Sequence, residues 1–235
     1  MTMPPVAAKQ KADILFDGVF MKITEQIVRL DCTKGSYAYA ILGQSVTLID
    51  TSYPGRGGKI LSELALHSAG PERIGRILLT HKDADHIGNA IFLQAATGCD
   101  IYIGENDLPS VSGAAREKGL KGMLNRIMCS GRLEKAKTLP AGPIAGVEII
   151  PAPGHSPGHT CYRFQNVLFA GDLFTSTRNL PALMTGLFKL DHPKVIEALR
   201  KVDLKGVDWL CPAHGAPVSA AAALAALGRA AQENR

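Results

Sequence analysis

The chain has 235 residues, 46% of them hydrophobic, 20% charged, and a formal net charge of +5, which fits one domain with a sizeable core. No apolar run approaches the roughly 18 residues needed to cross a bilayer, and residues 1–10 lack the continuous apolar stretch of a signal peptide, so a membrane-spanning helix and an export signal are excluded from the reading. The five cysteines are odd in number and scattered, with no Cys-x-x-Cys pair, which points to core thiols in a reducing cytoplasm.

Residues 1–18 read as a flexible N-terminal arm, because Pro4-Pro5 prevents regular structure, and residues 19–235 as a single domain. From Ile23 the pattern is β-rich, with strands expected at 26–31, 36–42 and 45–50, separated by turn signals at Gly35 and Gly43-Gln44. Asp50 ends the third of these and is placed to open an Asx-turn before Pro54 and Gly55. Residues 59–67 carry Ile60, Leu61, Leu64 and Ala65 at helical spacing, and Gly70-Pro71 stops them. A strand at 73–79, a helix at 87–97 closed by Gly98, and a strand at 99–103 follow. This alternation predicts an α/β fold with helices packed on a sheet.

Between the strand at 73–79 and the helix at 87–97 stands Thr80-His81-Lys82-Asp83-Ala84-Asp85-His86. Strand ends followed by loops are where α/β proteins place chemistry, and nitrogen and oxygen donors at this density suit zinc, iron or manganese better than calcium. Taken alone, the stretch is also compatible with a solvated loop and a capping Asp85.

Residues 110–138 differ in composition. They hold Arg116, Lys118, Lys121, Arg126, Arg132, Lys135 and Lys137 against Glu117 and Glu134, an excess of five that equals the formal charge of the whole chain. Two short helices broken by Gly119, Gly122 and Gly131 are expected, with Leu120, Met123, Leu124 and Ile127 on an apolar side. This basic helical insertion reads either as a solvated face or as a cap that attracts an anionic small molecule. Nucleic acid is disfavoured, since no aromatic residues are interleaved for base stacking.

The second half returns to β-structure. A strand from Val147 leads to His155 in Ala152-Pro153-Gly154-His155-Ser156-Pro157-Gly158-His159. A hairpin of 161–164 and 167–170 leads to Asp172, and a strand at 207–211 leads to His214. A helix is expected at 192–202, started by Asp191 and Pro193, and a last Ala-rich helix from Ser219.

The central stretch with His155, Asp172 and His214, each after a strand-like run, resembles the metallo-β-lactamase superfamily, and the resemblance covers nearly the whole chain. It implies an αββα sandwich. It also implies that His81, Asp83 and His155 surround one metal, that Asp85, His86 and His214 surround a second, and that Asp172 bridges them with a hydroxide between. Asp85 is the catalytic residue of that set, and Asp50 and His159 support the ligands without binding metal. The family's usual motif is His-x-His-x-Asp-His, so Asp83 stands where a histidine is expected. The resemblance therefore implies two divalent ions, zinc first, with iron or manganese as the alternatives that the extra carboxylate opens.

The implied function is a cytoplasmic dinuclear hydrolase acting on a small ester, lactone, thioester or β-lactam-like amide. The rival readings are a di-iron redox protein related to the flavodiiron branch and a metal-binding module with little catalysis. The expected partner is a small molecule, with no nucleic acid and no membrane; a homodimer is compatible with the sequence.

Overall fold

The computed structural model describes residues 15–16, 21–115, 122–123, 125, 128, 131–177, 180–182, 192–223 and 225. Two sheets form the centre. The first contains β1 (Leu15–Phe16), β2 (Met21–Lys22), β3 (Ile27–Leu30), β4 (Ala38–Ile41), β5 (Val46–Ile49), β6 (Ile74–Leu78), β7 (Asp100–Ile103) and β8 (Lys137–Thr138), in that order. Neighbours run antiparallel as far as β5 and parallel from β5 to β8. The later chain supplies β9 (Glu148–Pro151), β10 (Thr160–Phe164), β11 (Val167–Gly171), a separate hairpin of β12 (Thr175–Thr177) and β13 (Leu180–Ala182), then β14 (Trp209–Pro212) and β15 (Val218–Ser219). The second sheet has the order β15-β14-β11-β10-β9, with β11 and β14 parallel.

Period-two alternation explains how the sheets stack. In β4, Tyr39 and Ile41 point between the sheets while Ala38 and Ala40 point outward. The inter-sheet layer joins Ile27, Tyr39, Ile49 and Leu78 to Tyr162, Phe169 and Trp209, and the rings of Tyr39 and Phe169 lie 5.4 Å apart. Outside the first sheet, Val28, Leu48 and Ile77 pack on Ile60 and Leu64 of α1 (Gly57–Leu66). Outside the second, Leu168, Ala170 and Leu210 pack on Ala198, Ala220 and Ala223. The layers are therefore helix, sheet, sheet, helix, as the resemblance implies.

Several local features differ from the sequence expectation. The helix expected at 87–97 begins earlier and is interrupted: α2 (Ala84–Ile87) ends, and α3 (Ala90–Thr97) starts only after Gly88 and Asn89. The Asn89 side chain donates to the carbonyls of Thr51 and Tyr53 and accepts from the Arg56 N–H, so tertiary bonds outweigh helical continuity there. A Cβ on Gly88 would collide with the backbone of Ser52 and Pro54, which fixes the loop after β5 against the start of α3. The first strand lies within the expected arm, because Leu15–Phe16 pairs with Met21–Lys22. Strand β8 and the hairpin β12–β13 are too short to signal themselves by alternation.

Within 110–138, Lys137 pairs with Asp100 at 2.8 Å on the sheet edge, Met123 is exposed, and Arg116, Lys118, Lys121 and Arg126 lie outside the described residues. Among the described residues, no helix is long and apolar enough to cross a membrane.

The sheets are also stitched by polar bonds. The hydroxyl of Tyr162 donates to the Leu79 carbonyl at 2.7 Å, and that of Tyr39 to the Pro212 carbonyl at 2.7 Å. Both are fully or nearly fully buried. Tyr162→Phe should therefore destabilise the fold by about 1–3 kcal/mol, since it strands a buried carbonyl without replacing its partner. Urea unfolding measures this; a change within a few tenths of a kcal/mol would show that the bond contributes nothing.

Candidate metal centre

The strand ends β6 and β11 and the loops after β9 and β14 converge on one edge of the sandwich. They bring together all seven residues marked as ligands: His81, Asp83, Asp85, His86, His155, Asp172 and His214. Three overlapping groups, His81–Asp83–His155, Asp85–His86–His214 and His81–His86–Asp172, each offer ligand atoms within 4.8 Å of one another. The break after Ile87 matters here. Asp83 is the extended residue before α2, so it turns to His155, while Asp85 and His86 lie on the helix and face His214.

Asp172 stands between the two sets. Its Oδ1 lies 3.2 Å from His86 Nε2 and 3.4 Å from His214 Nε2, whereas Oδ2 lies 3.9 Å from His81 Nε2 and 3.6 Å from His155 Nε2. Asp83 Oδ2 approaches His155 Nε2 at 2.9 Å, and Asp85 Oδ2 approaches His214 Nε2 at 3.2 Å.

Outer partners aim the rings. Asp50, buried after β5 with φ 60°, accepts from the Thr80 N–H and hydroxyl, each at 2.7 Å, and from His86 Nδ1 at 2.8 Å. With its proton given to Asp50, the Thr80 hydroxyl is left to accept from His81 Nδ1 at 3.0 Å. His214 Nδ1 donates to the Gly35 carbonyl at 2.5 Å. Each of these bonds puts the proton on Nδ1 and turns Nε2 inward, the arrangement that metal-ligating histidines adopt. His159 differs: Nδ1 donates to the Ala152 carbonyl at 3.2 Å and Nε2 accepts from the Asp172 N–H at 3.2 Å, so neither nitrogen is free to ligate. Thr80 and the Gly35 carbonyl carry weight that the sequence did not flag; Thr80 sits inside the motif, but Gly35 reads only as a turn.

The inward atoms are under-satisfied. His81 Nε2, His86 Nε2 and Asp172 Oδ1 are buried and make no hydrogen bond of acceptable geometry. Buried polar atoms without partners are costly, so a cluster of them facing one another fits cations that the nitrogens and carboxylates would bind together.

The electrostatics agree. Burial pushes the Asp172 carboxyl up, but the imidazoles of His86, His214 and His81 outweigh it and hold it well below the usual range. Burial pushes His86 down, yet Asp172, Asp50 and Asp85 outweigh it and hold the ring well above its ordinary value. His214 follows the same pattern and is pushed up to about 10. His155 moves the other way, lowered by burial and by His81.

A sequence model of the metallo-beta-lactamase superfamily matches residues 33–214. Among curated proteins, the chain is 40% identical over 105 residues to a hydroxyacylglutathione hydrolase of Shewanella denitrificans, covering 43% of this chain and 33% of that one. It is 28% identical over 196 residues to a hydroxyacylglutathione hydrolase of Cereibacter sphaeroides, covering 80% and 66%. The chain thus spans between a third and two thirds of the length of these relatives. Among solved structures, BJP-1, a subclass B3 metallo-beta-lactamase of Bradyrhizobium japonicum, superposes with a TM-score of 0.65 at 23% identity over 87% of this chain and 80% of that one. A metallo-beta-lactamase family protein of Thermus thermophilus superposes with a TM-score of 0.68 at 20% identity over 91% and 81%.

The carboxylates that raise His86 and His214 above their ordinary values are the ones that cations would meet. Adding zinc to metal-free protein near neutral pH should therefore release protons, from these rings and from any water the ions acidify, read by a pH indicator in weak buffer. The His214 proton is present below its raised value and absent above it, so the release should shrink as pH rises towards about 10. No release near neutral pH would mean that zinc does not bind through these rings.

Proposed function

Because this chain belongs to the metallo-beta-lactamase superfamily, we propose that it is a dinuclear metal-dependent hydrolase of a small acyl substrate, with a glutathione thioester first among the esters, lactones, thioesters and β-lactam-like amides that fit. The observation that carries this reading is the division of Asp172, whose Oδ1 faces His86 and His214 while Oδ2 faces His81 and His155. One carboxylate set between two ligand groups is what a two-ion centre needs. The thioester preference rests on the hydroxyacylglutathione hydrolases among the relatives.

Under this reading His81, Asp83 and His155 would hold one ion, and Asp85, His86 and His214 would hold the other. Divalent ions held there would supply hydroxide near neutral pH, since such ions lower the pKa of water from about 16 towards 7, and would polarise the acyl oxygen. The chain supplies the geometry. Asp50 fixes His86 through Nδ1, Thr80 fixes His81, and the Gly35 carbonyl fixes His214. Asp85 and His214 keep 20% and 21% of their side-chain surface exposed, whereas His81 and His86 are fully buried. Substrate therefore approaches from the Asp85–His214 side, and the buried wall opposite excludes bulk water. Asp83 adds a carboxylate in place of an imidazole, leaving the centre one charge less positive and its oxygen donor better suited to iron or manganese than a nitrogen would be.

Metal-loaded protein should hydrolyse an S-acyl glutathione faster than a matched lactone, oxygen ester or β-lactam. Asp172→Ala should lower kcat/KM by more than about a hundredfold, because even outer partners of metal ligands are worth 10–100-fold. Turnover on none of the panel with two ions bound would overturn the hydrolase reading, and an Asp172→Ala variant of undiminished activity would overturn the shared-carboxylate role.

A further inference from the structure

Three of the four inward-facing histidines have an outer nitrogen held in place. His86 is held by Asp50, His81 by Thr80 and His214 by the Gly35 carbonyl. His155 is the exception: its Nδ1 is buried and has no hydrogen-bond partner among the described residues. The direction of its ring must therefore come from the backbone of its own loop.

That loop is tied at a single buried carboxylate. Asp107, fully buried ahead of α4 (Leu108–Ser112), accepts from the Ser156 hydroxyl at 2.5 Å through Oδ2 and from the Gly158 N–H at 3.0 Å through Oδ1. These two donors lie within the loop between His155 and His159. The approach is close enough that a side chain at Gly104 or Gly158 would collide with the opposite backbone. Among the described residues no ion pair offsets the Asp107 carboxylate; the two hydrogen bonds are its compensation for burial.

We propose that Asp107 is the positioning residue of the His155 side of the centre, doing through the Ser156–Gly158 loop what Asp50 does directly for His86. It touches neither substrate nor metal. The proposal rests on His155 being a ligand, as in the reading above. It also explains why a carboxylate is buried so far in sequence from the motif: one rigid tether aims His155 at Asp83 and, through His159 Nε2, steadies the backbone N–H of Asp172.

The test is zinc titration of metal-free protein by calorimetry, with both equivalents resolved. Wild type should take two. Asp107→Ala should weaken one equivalent by about 10–100-fold, the usual effect of losing an outer partner, and leave the other unchanged. The same equivalent should be lost in His155→Ala, and adding Asp107→Ala to that variant should change nothing more. Asp107→Asn should restore most of the affinity, because its carbonyl can accept from Gly158 and its amide can donate to the Ser156 oxygen. If Asp107→Ala does not fold, Ser156→Ala decides, with a smaller loss confined to the same equivalent. Two unchanged equivalents in Asp107→Ala or, failing that variant, in Ser156→Ala would overturn the proposal. So would equal weakening of both, or an Asp107→Asn variant as impaired as the alanine. A wild type that takes fewer than two equivalents would instead defeat the dinuclear reading on which it rests.

Discussion

The site edge of the molecule depends on one electrostatic constraint: several nitrogens and carboxylate oxygens are buried facing each other, and neither set is satisfied by hydrogen bonds alone. His81 and His86 are fully enclosed and Asp172 is nearly so, yet His81 Nε2, His86 Nε2 and Asp172 Oδ1 have no hydrogen-bond partner of good geometry. Without positive charge among them the carboxylates Asp50, Asp83, Asp85 and Asp172 would repel one another in a low dielectric. The same carboxylates raise His86 and His214 towards their charged forms, and divalent ions would supply positive charge in a fixed geometry. The surrounding polar bonds follow from this need. Asp50, Thr80, the Gly35 carbonyl and Asp107 each orient a group that would otherwise turn away from its neighbours.

The αββα frame makes that arrangement affordable in structural terms by bringing strand ends from distant parts of the chain to one edge. Strand β6 delivers His81, β9 leads to His155, β11 to Asp172 and β14 to His214. The inter-sheet bonds from Tyr39 to Pro212 and from Tyr162 to Leu79 fix those ends relative to each other. Asp83 faces His155 as an oxygen donor, so under the proposed reading it would make that side of the centre harder without altering which strands build it.

Much of this clustering was legible in the sequence because the candidate ligands are polar residues placed where apolar strands end. His81 to His86 stand out by density, and His155, Asp172 and His214 stand out by what precedes them. The resemblance implies a supporting role for Asp50, and the structure places its carboxylate against Thr80 and His86. Asp107 was not legible. It sits in Glu105-Asn106-Asp107, outside every motif singled out above, and only the three-dimensional approach of residues 155–159 gives it partners. The interruption at Gly88 and Asn89 was missed for a related reason: the apolar periodicity continues through it, while the bonds that break the helix come from Thr51, Tyr53 and Arg56. Signals confined to one segment were readable; signals made by two segments meeting were not.

The claim on which everything else turns is that two ions sit on either side of Asp172. Anomalous diffraction from crystals of metal-loaded protein tests it most directly. The account predicts two peaks, one among His81, Asp83 and His155 and one among Asp85, His86 and His214, with an Asp172 oxygen towards each. A single peak at full loading, or a peak outside these two groups, would contradict it.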